Sequence, residues 1–137
     1  MKVGDYVRTK YGIFKIRNIT KDLGYCKRGK RVIELDRNVP EEHYHFRFYK
    51  DEAIFKNAKS SPNIIDLIEV GDYVNGEKVI ALRKDIEERN IHFNSKDNLI
   101  FTDYDLANNW YYGIDTDKIK SIVTKKQFSH MEYKIND

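Results

Sequence analysis

Val3-Gly4-Asp5-Tyr6-Val7 and Val70-Gly71-Asp72-Tyr73-Val74 are the same five residues, met near the start of the 137-residue chain and again just past its middle. Each introduces a hairpin pattern. After the first, residues 5–10 and 13–19 alternate in polarity on either side of Tyr11-Gly12. After the second, Asn75-Gly76 separates the motif from residues 77–82. Asn-Gly is the strongest short signal for a type I′ turn, because that turn needs positive φ at both central residues. The halves also end alike. Ser61-Pro62-Asn63-Ile64-Ile65 and Thr124-Lys125-Lys126-Gln127-Phe128 each set a capping hydroxyl before an apolar helical turn, the first with proline at the opening helical position. A short strand is then expected to close each half, at residues 67–70 and 131–135. The fold class that follows is mainly β, with two small SH3-like barrel units related by an internal repeat. The units span residues 1–69 and 70–137, and each ends in a one-turn helix and a closing strand.

Composition agrees with this reading. Ten Tyr, seven Phe and one Trp bring the aromatic fraction to 13%, and such side chains favour half-buried pleated surfaces. A charged fraction of 34% leaves a large wetted surface. No stretch approaches the ~20 apolar residues of a membrane helix, and the opening MKVGDYV lacks the apolar core of a signal peptide. The lone cysteine, Cys26, has no second thiol with which to form an internal disulfide. A soluble cytoplasmic protein without a membrane partner is expected. The net charge of +3 is unevenly spread: residues 1–69 carry 15 Lys/Arg against 10 Asp/Glu, residues 70–137 carry 10 against 12. An anionic partner is therefore expected at the first half.

The segments SSPNIIDLIEVGDYVNG (residues 60–76), IKSIVTKKQF (119–128) and MEYKI (131–135) resemble a group of small uncharacterised proteins encoded by phages and prophages of low-GC Gram-positive bacteria. With the N-terminal hairpin, the resemblance covers roughly half of the chain and leaves out the middle of each half. It carries no activity. It implies a context, since accessory phage genes of this size often encode proteins that bind host molecules, among them inhibitors of antiviral defence.

Three constellations are candidates for binding. With a two-residue turn at Tyr11-Gly12, Arg8 would face Lys15 and Tyr6 would face Arg17, gathering Tyr6, Arg8, Lys10, Lys15 and Arg17 on one outward face. Like charges opposite one another cost stability, which a phosphate-bearing partner would relieve. The loop Lys27-Arg28-Gly29-Lys30-Arg31 extends this basic patch. In the strand-like stretch His43-Tyr44-His45-Phe46-Arg47-Phe48-Tyr49, alternation sends Tyr44, Phe46 and Phe48 to the core and His43, His45, Arg47 and Tyr49 outward, where they can stack on a nucleotide. Glu41, His43 and His45 fall short of the four ligands of a closed zinc site, so no metal or cofactor is expected. Trp110-Tyr111-Tyr112 supplies adjacent aromatics that cannot all face one core, and Trp and Tyr are preferred interface anchors.

Catalysis has no motif behind it, neither a phosphate-cradling glycine loop nor a nucleophile elbow, so the chain is not expected to be an enzyme. The expected function is that of a phage accessory binding protein in the host bacterial cytoplasm. It would antagonise antiviral defence by sequestering an anionic nucleotide or by occupying a host effector protein. The alternatives are an SH3-like module binding DNA or RNA, and a virion or assembly component forming a homo-oligomer.

Overall fold

Both VGDYV segments enter their hairpins through the same set of backbone bonds. In the first, Gly4 N–H donates to the Ile16 carbonyl at 2.8 Å, Ile16 N–H returns to the Asp5 carbonyl at 2.8 Å, and Asp5 N–H donates to the Lys2 carbonyl at 3.0 Å. Lys2 N–H then meets the Asp5 carboxylate at 3.0 Å. In the second, Gly71 N–H to Val79 (2.9 Å), Val79 N–H to Asp72 (2.7 Å) and Asp72 N–H to Glu69 (3.1 Å) repeat the pattern. Glu69 N–H donates to the Asp72 carboxylate at 2.8 Å. Gly4 and Gly71 stand at φ 89° and 100°, a conformation other residues adopt only under strain. The aspartate is short enough to close on the amide three residues before it.

The computed structural model describes residues 1–24, 29–82, 100–103, 114 and 116–131. The chain is mainly β, with two antiparallel sheets, and divides into two units, Met1–Leu67 and Ile68–Asp137.

In the first unit, β1 (Tyr6–Thr9), β2 (Gly12–Lys21), β3 (Arg31–Val39), β4 (His45–Tyr49) and β5 (Lys59–Ser61) form one sheet in the order β4-β3-β2-β1-β5. Its core joins Val7, Phe14, Ile16, Ile33, Leu35, Val39 and Phe48 to Ile54 and Phe55 of a 3-10 turn, Ala53–Phe55. The Phe48 and Phe55 rings meet edge to face at 6.2 Å. Between Ile16 and Asn18, β2 carries one more residue than β3. That bulge, at Arg17, resets the side-chain alternation, so that Ile16 and Ile19 both turn to the core.

The first hairpin turns one residue earlier than Tyr11-Gly12. Tyr6 faces Lys15, Val7 faces Phe14, Arg8 faces Ile13 and Thr9 faces Gly12, with Lys10-Tyr11 as the loop. The Thr9 hydroxyl accepts from Tyr11 N–H at 3.1 Å and donates to the Gly12 carbonyl at 3.1 Å, which closes the turn there. Tyr11 is thereby spared the positive φ that a primed Tyr-Gly turn would demand. The register differs from expectation by two residues, so every side chain keeps its face while every cross-strand neighbour changes. Arg8 and Lys15 are not opposed.

The second unit forms a sheet of β6 (Tyr73–Val74), β7 (Glu77–Leu82), β8 (Ile100–Thr102) and β9 (Ile122–Val123) in the order β8-β7-β6-β9. Asn75 and Gly76 take φ 52° and 82°, both positive as the turn requires. The Asn75 side chain also accepts from Lys120 N–H at 2.7 Å and donates to the Lys118 carbonyl at 3.0 Å, pinning the approach to β9 against the turn. Helix α1 (Lys125–Met131) follows, capped reciprocally: Thr124 Oγ1 accepts from Gln127 N–H at 3.2 Å and Gln127 Oε1 from Thr124 N–H at 2.9 Å. Asp72 is wholly buried and also accepts from Lys125 N–H at 2.9 Å, binding the motif to the helix start.

One expectation about the ends of the halves is corrected. In the first half the short strand precedes the helical turn instead of following it, β5 coming before the 3-10 turn Ile64–Leu67; in the second half, β9 comes before α1. Residues 67–70 form no strand, because Leu67 ends that turn and the chain passes directly into the turn of the second VGDYV. Met131 belongs to α1, and residues 132–135 lie outside the described residues. Among the described residues the sheets stay open, with β4 and β5 at the edges of one and β8 and β9 at the edges of the other.

Candidate functional site

The cations of the first hairpin are engaged by the unit that bears them. Arg8 Nη1 donates to the Leu67 carbonyl at 2.9 Å, capping the end of the 3-10 turn. Arg17 Nη2 lies 2.6 Å from Glu34, and its guanidinium lies 5.2 Å from the centre of the Phe46 ring. The Lys15 ammonium sits 5.7 Å from the Tyr6 ring and that of Lys10 sits 5.0 Å from Tyr11. Lys30 pairs with Asp51 at 2.7 Å. Arg31 is exposed and faces Lys21 across β2 and β3. The like-charge cross-strand pairs in this sheet are therefore Lys21/Arg31 and Arg8/Lys59, not Arg8/Lys15. Lys27, Arg28 and the Trp110-Tyr111-Tyr112 cluster lie outside the described residues, as does Cys26.

A recess of about 560 Å³ lies on β4 and the turn before it. His43, His45, Arg47 and Tyr49 line it with Asp22, Glu42 and Glu52. Its lining is stiffened by internal bonds. The Tyr49 hydroxyl donates to the Asp22 carboxylate, Tyr49 N–H donates to Glu52 at 2.5 Å, and Glu42 accepts from the Tyr11 hydroxyl at 2.9 Å. A neighbouring recess of about 380 Å³ shares Asp22, Val32 and Arg47, and adds Glu34 and Leu23, a leucine 83% exposed. Arg47 stands between the two, its side chain 66% exposed, 3.7 Å from Glu34 and 5.3 Å from the Phe46 ring centre.

Tyr44 is not in the core. Pro40 opens a 3-10 turn, Pro40–Glu42, and two residues in the left-handed conformation follow, His43 at φ 58° and Tyr44 at φ 59°. Tyr44 N–H donates back to the Val39 carbonyl at 3.1 Å. The strand therefore starts only at His45, and the Tyr44 side chain leaves the alternation and stands 69% exposed. Phe48 is buried as expected and Phe46 is half-buried. Left-handed φ at a bulky side chain is uncommon and costs on the order of 1 kcal/mol or more per residue. The proline three residues before His43 is the signal in the sequence that the strand cannot begin so early. Exposed Leu23 has no such signal.

The recess thus brings together His43, His45, Arg47 and Tyr49 from the sequence-based set, its neighbour adds Leu23, and Tyr44 stands exposed next in the chain to His43. Its carboxylates and cations are mixed. No family model, curated protein or solved structure matches the chain. Among the described residues, no group of three or more His, Cys, Asp or Glu is placed to hold a metal ion. No helix among them is long and apolar enough to cross a membrane.

Proposed function

We propose that this chain is a stoichiometric binding protein that occupies a host effector protein of antiviral defence, in the cytoplasm of a phage-infected or lysogenic bacterium. The observation that carries the binding mode is Tyr44, held outward in a strained conformation next in the chain to His43, which lines the β4 recess together with exposed Arg47. Tyr and Arg are the residues on which protein interfaces most often depend. Strain at an exposed tyrosine serves no packing purpose, so it fits a role in contact. Sequestering an anionic nucleotide is the weaker mode, because Arg8, Arg17 and Lys30 already have partners within the unit. Phage context and anti-defence role rest on the resemblance of residues 60–76, 119–128 and 131–135. The protein acts by binding and not by catalysis.

In architecture, we read the units as SH3-like sheets descended from an internal duplication. The matched bonds of the two VGDYV segments support this, and so do the neighbours of β1 and β6. Each lies between its hairpin partner and a short strand that leads into a helical turn.

Native mass spectrometry after incubation with host lysate tests the reading. The expected result is a protein-sized mass increment, absent from a Tyr44→Ala/Arg47→Ala variant and kept in Lys15→Ala. An increment the size of a nucleotide, insensitive to Tyr44, would overturn it in favour of sequestration.

A further inference from the structure

The tyrosines of the two VGDYV segments meet the same cross-strand neighbour and are used differently. Tyr6 faces Lys15, whose ammonium lies 5.7 Å from its ring. Tyr73 faces Lys78 in the same way, but its ring is taken by Phe128 of α1, stacked at 4.3 Å with 24° between the planes. Lys78 is left exposed, without a carboxylate partner among the described residues. The same holds for Lys118 and Lys120, whose backbone the Asn75 side chain holds at the hairpin turn, two residues along from Tyr73. That separation is about 7 Å at the rise of a strand. Phe128 stays 37% exposed, so one aromatic stack opens to solvent across from Lys78, with Lys118 and Lys120 held at the adjoining hairpin turn.

We infer that this face of the second unit, built on Tyr73, Phe128, Lys78, Lys118 and Lys120, binds single-stranded nucleic acid. A base stacks on the open side of the Phe128 ring, which Tyr73 backs, and the lysines meet the phosphates on either side. Base stacking on aromatic side chains is tolerant of sequence, and phosphate contacts make such binding fall with salt. A duplex hides its base faces and cannot use the stack. The second half carries a negative net charge, yet the charge that decides binding is the local one, and Lys78, Lys118 and Lys120 are exposed with no carboxylate partner among the described residues.

Fluorescence anisotropy with a labelled single-stranded oligothymidylate and a duplex of equal length, over a range of KCl concentrations, tests this on the full chain. The single strand is expected to bind more tightly than the duplex. Phe128→Leu keeps an apolar group on Tyr73 and removes the aromatic face, and is expected to weaken binding by about tenfold. Lys78→Gln with Lys120→Gln is expected to lower the slope of log affinity against log salt by about 0.7 for each phosphate that is no longer neutralised. Equal affinity for the duplex, an unchanged Phe128→Leu variant, or no binding at low salt would each overturn the inference. So would displacement of the strand by an equal concentration of polyglutamate, which would reveal a plain charge effect without stacking.

Discussion

Asp5 and Asp72 close the same turn with the same backbone bonds, yet Asp5 is partly exposed and Asp72 is fully buried. The first holds one amide of the chain's own start. The second holds Glu69 N–H and also Lys125 N–H, fifty-three residues further on, and so ties helix α1 to the hairpin. Identical residues can thus specify identical local geometry and contribute very unequal stability, because an unmade hydrogen bond costs much more in the interior than in water.

The largest effect is expected from Asp72→Ala. It strands two amides in or near the core and should lower stability by about 3 kcal/mol, whereas Asp5→Ala should cost about 0.5–1 kcal/mol. Urea denaturation of both variants checks the contrast, and equal destabilisation would break it. Asn75→Ala comes next, at about 2 kcal/mol, because it removes a residue suited to positive φ together with the side-chain bonds that pin residues 118–121. Lys10, in the corresponding loop of the first unit, should be replaceable by Ala with a change within about 0.5 kcal/mol in the same assay. Gly71→Ala and Gly4→Ala should each cost about 1–2 kcal/mol for the φ they impose. The two changes should be alike in thermal melts, since a Cβ at Gly71 would make only ordinary contact with Lys125 Cδ, at 3.4 Å, and at Gly4 would meet nothing within 4 Å. Smallest, and opposite in sign, is Tyr44→Gly. Relief of the left-handed strain should raise stability by up to about 1 kcal/mol in a melt while the mass increment from host lysate disappears. A variant that is stabilised and still binds would show that Tyr44 is strained for some reason other than recognition.

The two strongest local signals survive in the structure. Asn75-Gly76 forms its turn, and Thr124 with Gln127 caps its helix, because both depend on residues within a few positions of one another. Less local expectations fare worse. The alternation of residues 13–19 names the buried face up to the bulge at Arg17, but one hydroxyl, that of Thr9, decides the register and removes the Arg8/Lys15 conflict. For the candidate site, His45, Arg47 and Tyr49 are legible from period-two alternation. Tyr44 is not, because alternation alone carries the strand back through His43 and takes no account of the turn that Pro40 opens.

What the sequence by itself determined is the set of local commitments: β character, two hairpin entries, turn chemistry and caps. Each rests on φ preferences and short-range hydrogen bonds that travel with a few neighbouring residues. Only the tertiary structure decided which charges are neutralised. Arg17 meets Glu34 and Arg8 meets the Leu67 carbonyl, whereas Lys78, Lys118 and Lys120 have no carboxylate partner among the described residues. Neutralisation falls off over a few ångströms in space, and positions far apart in the chain can lie within that distance.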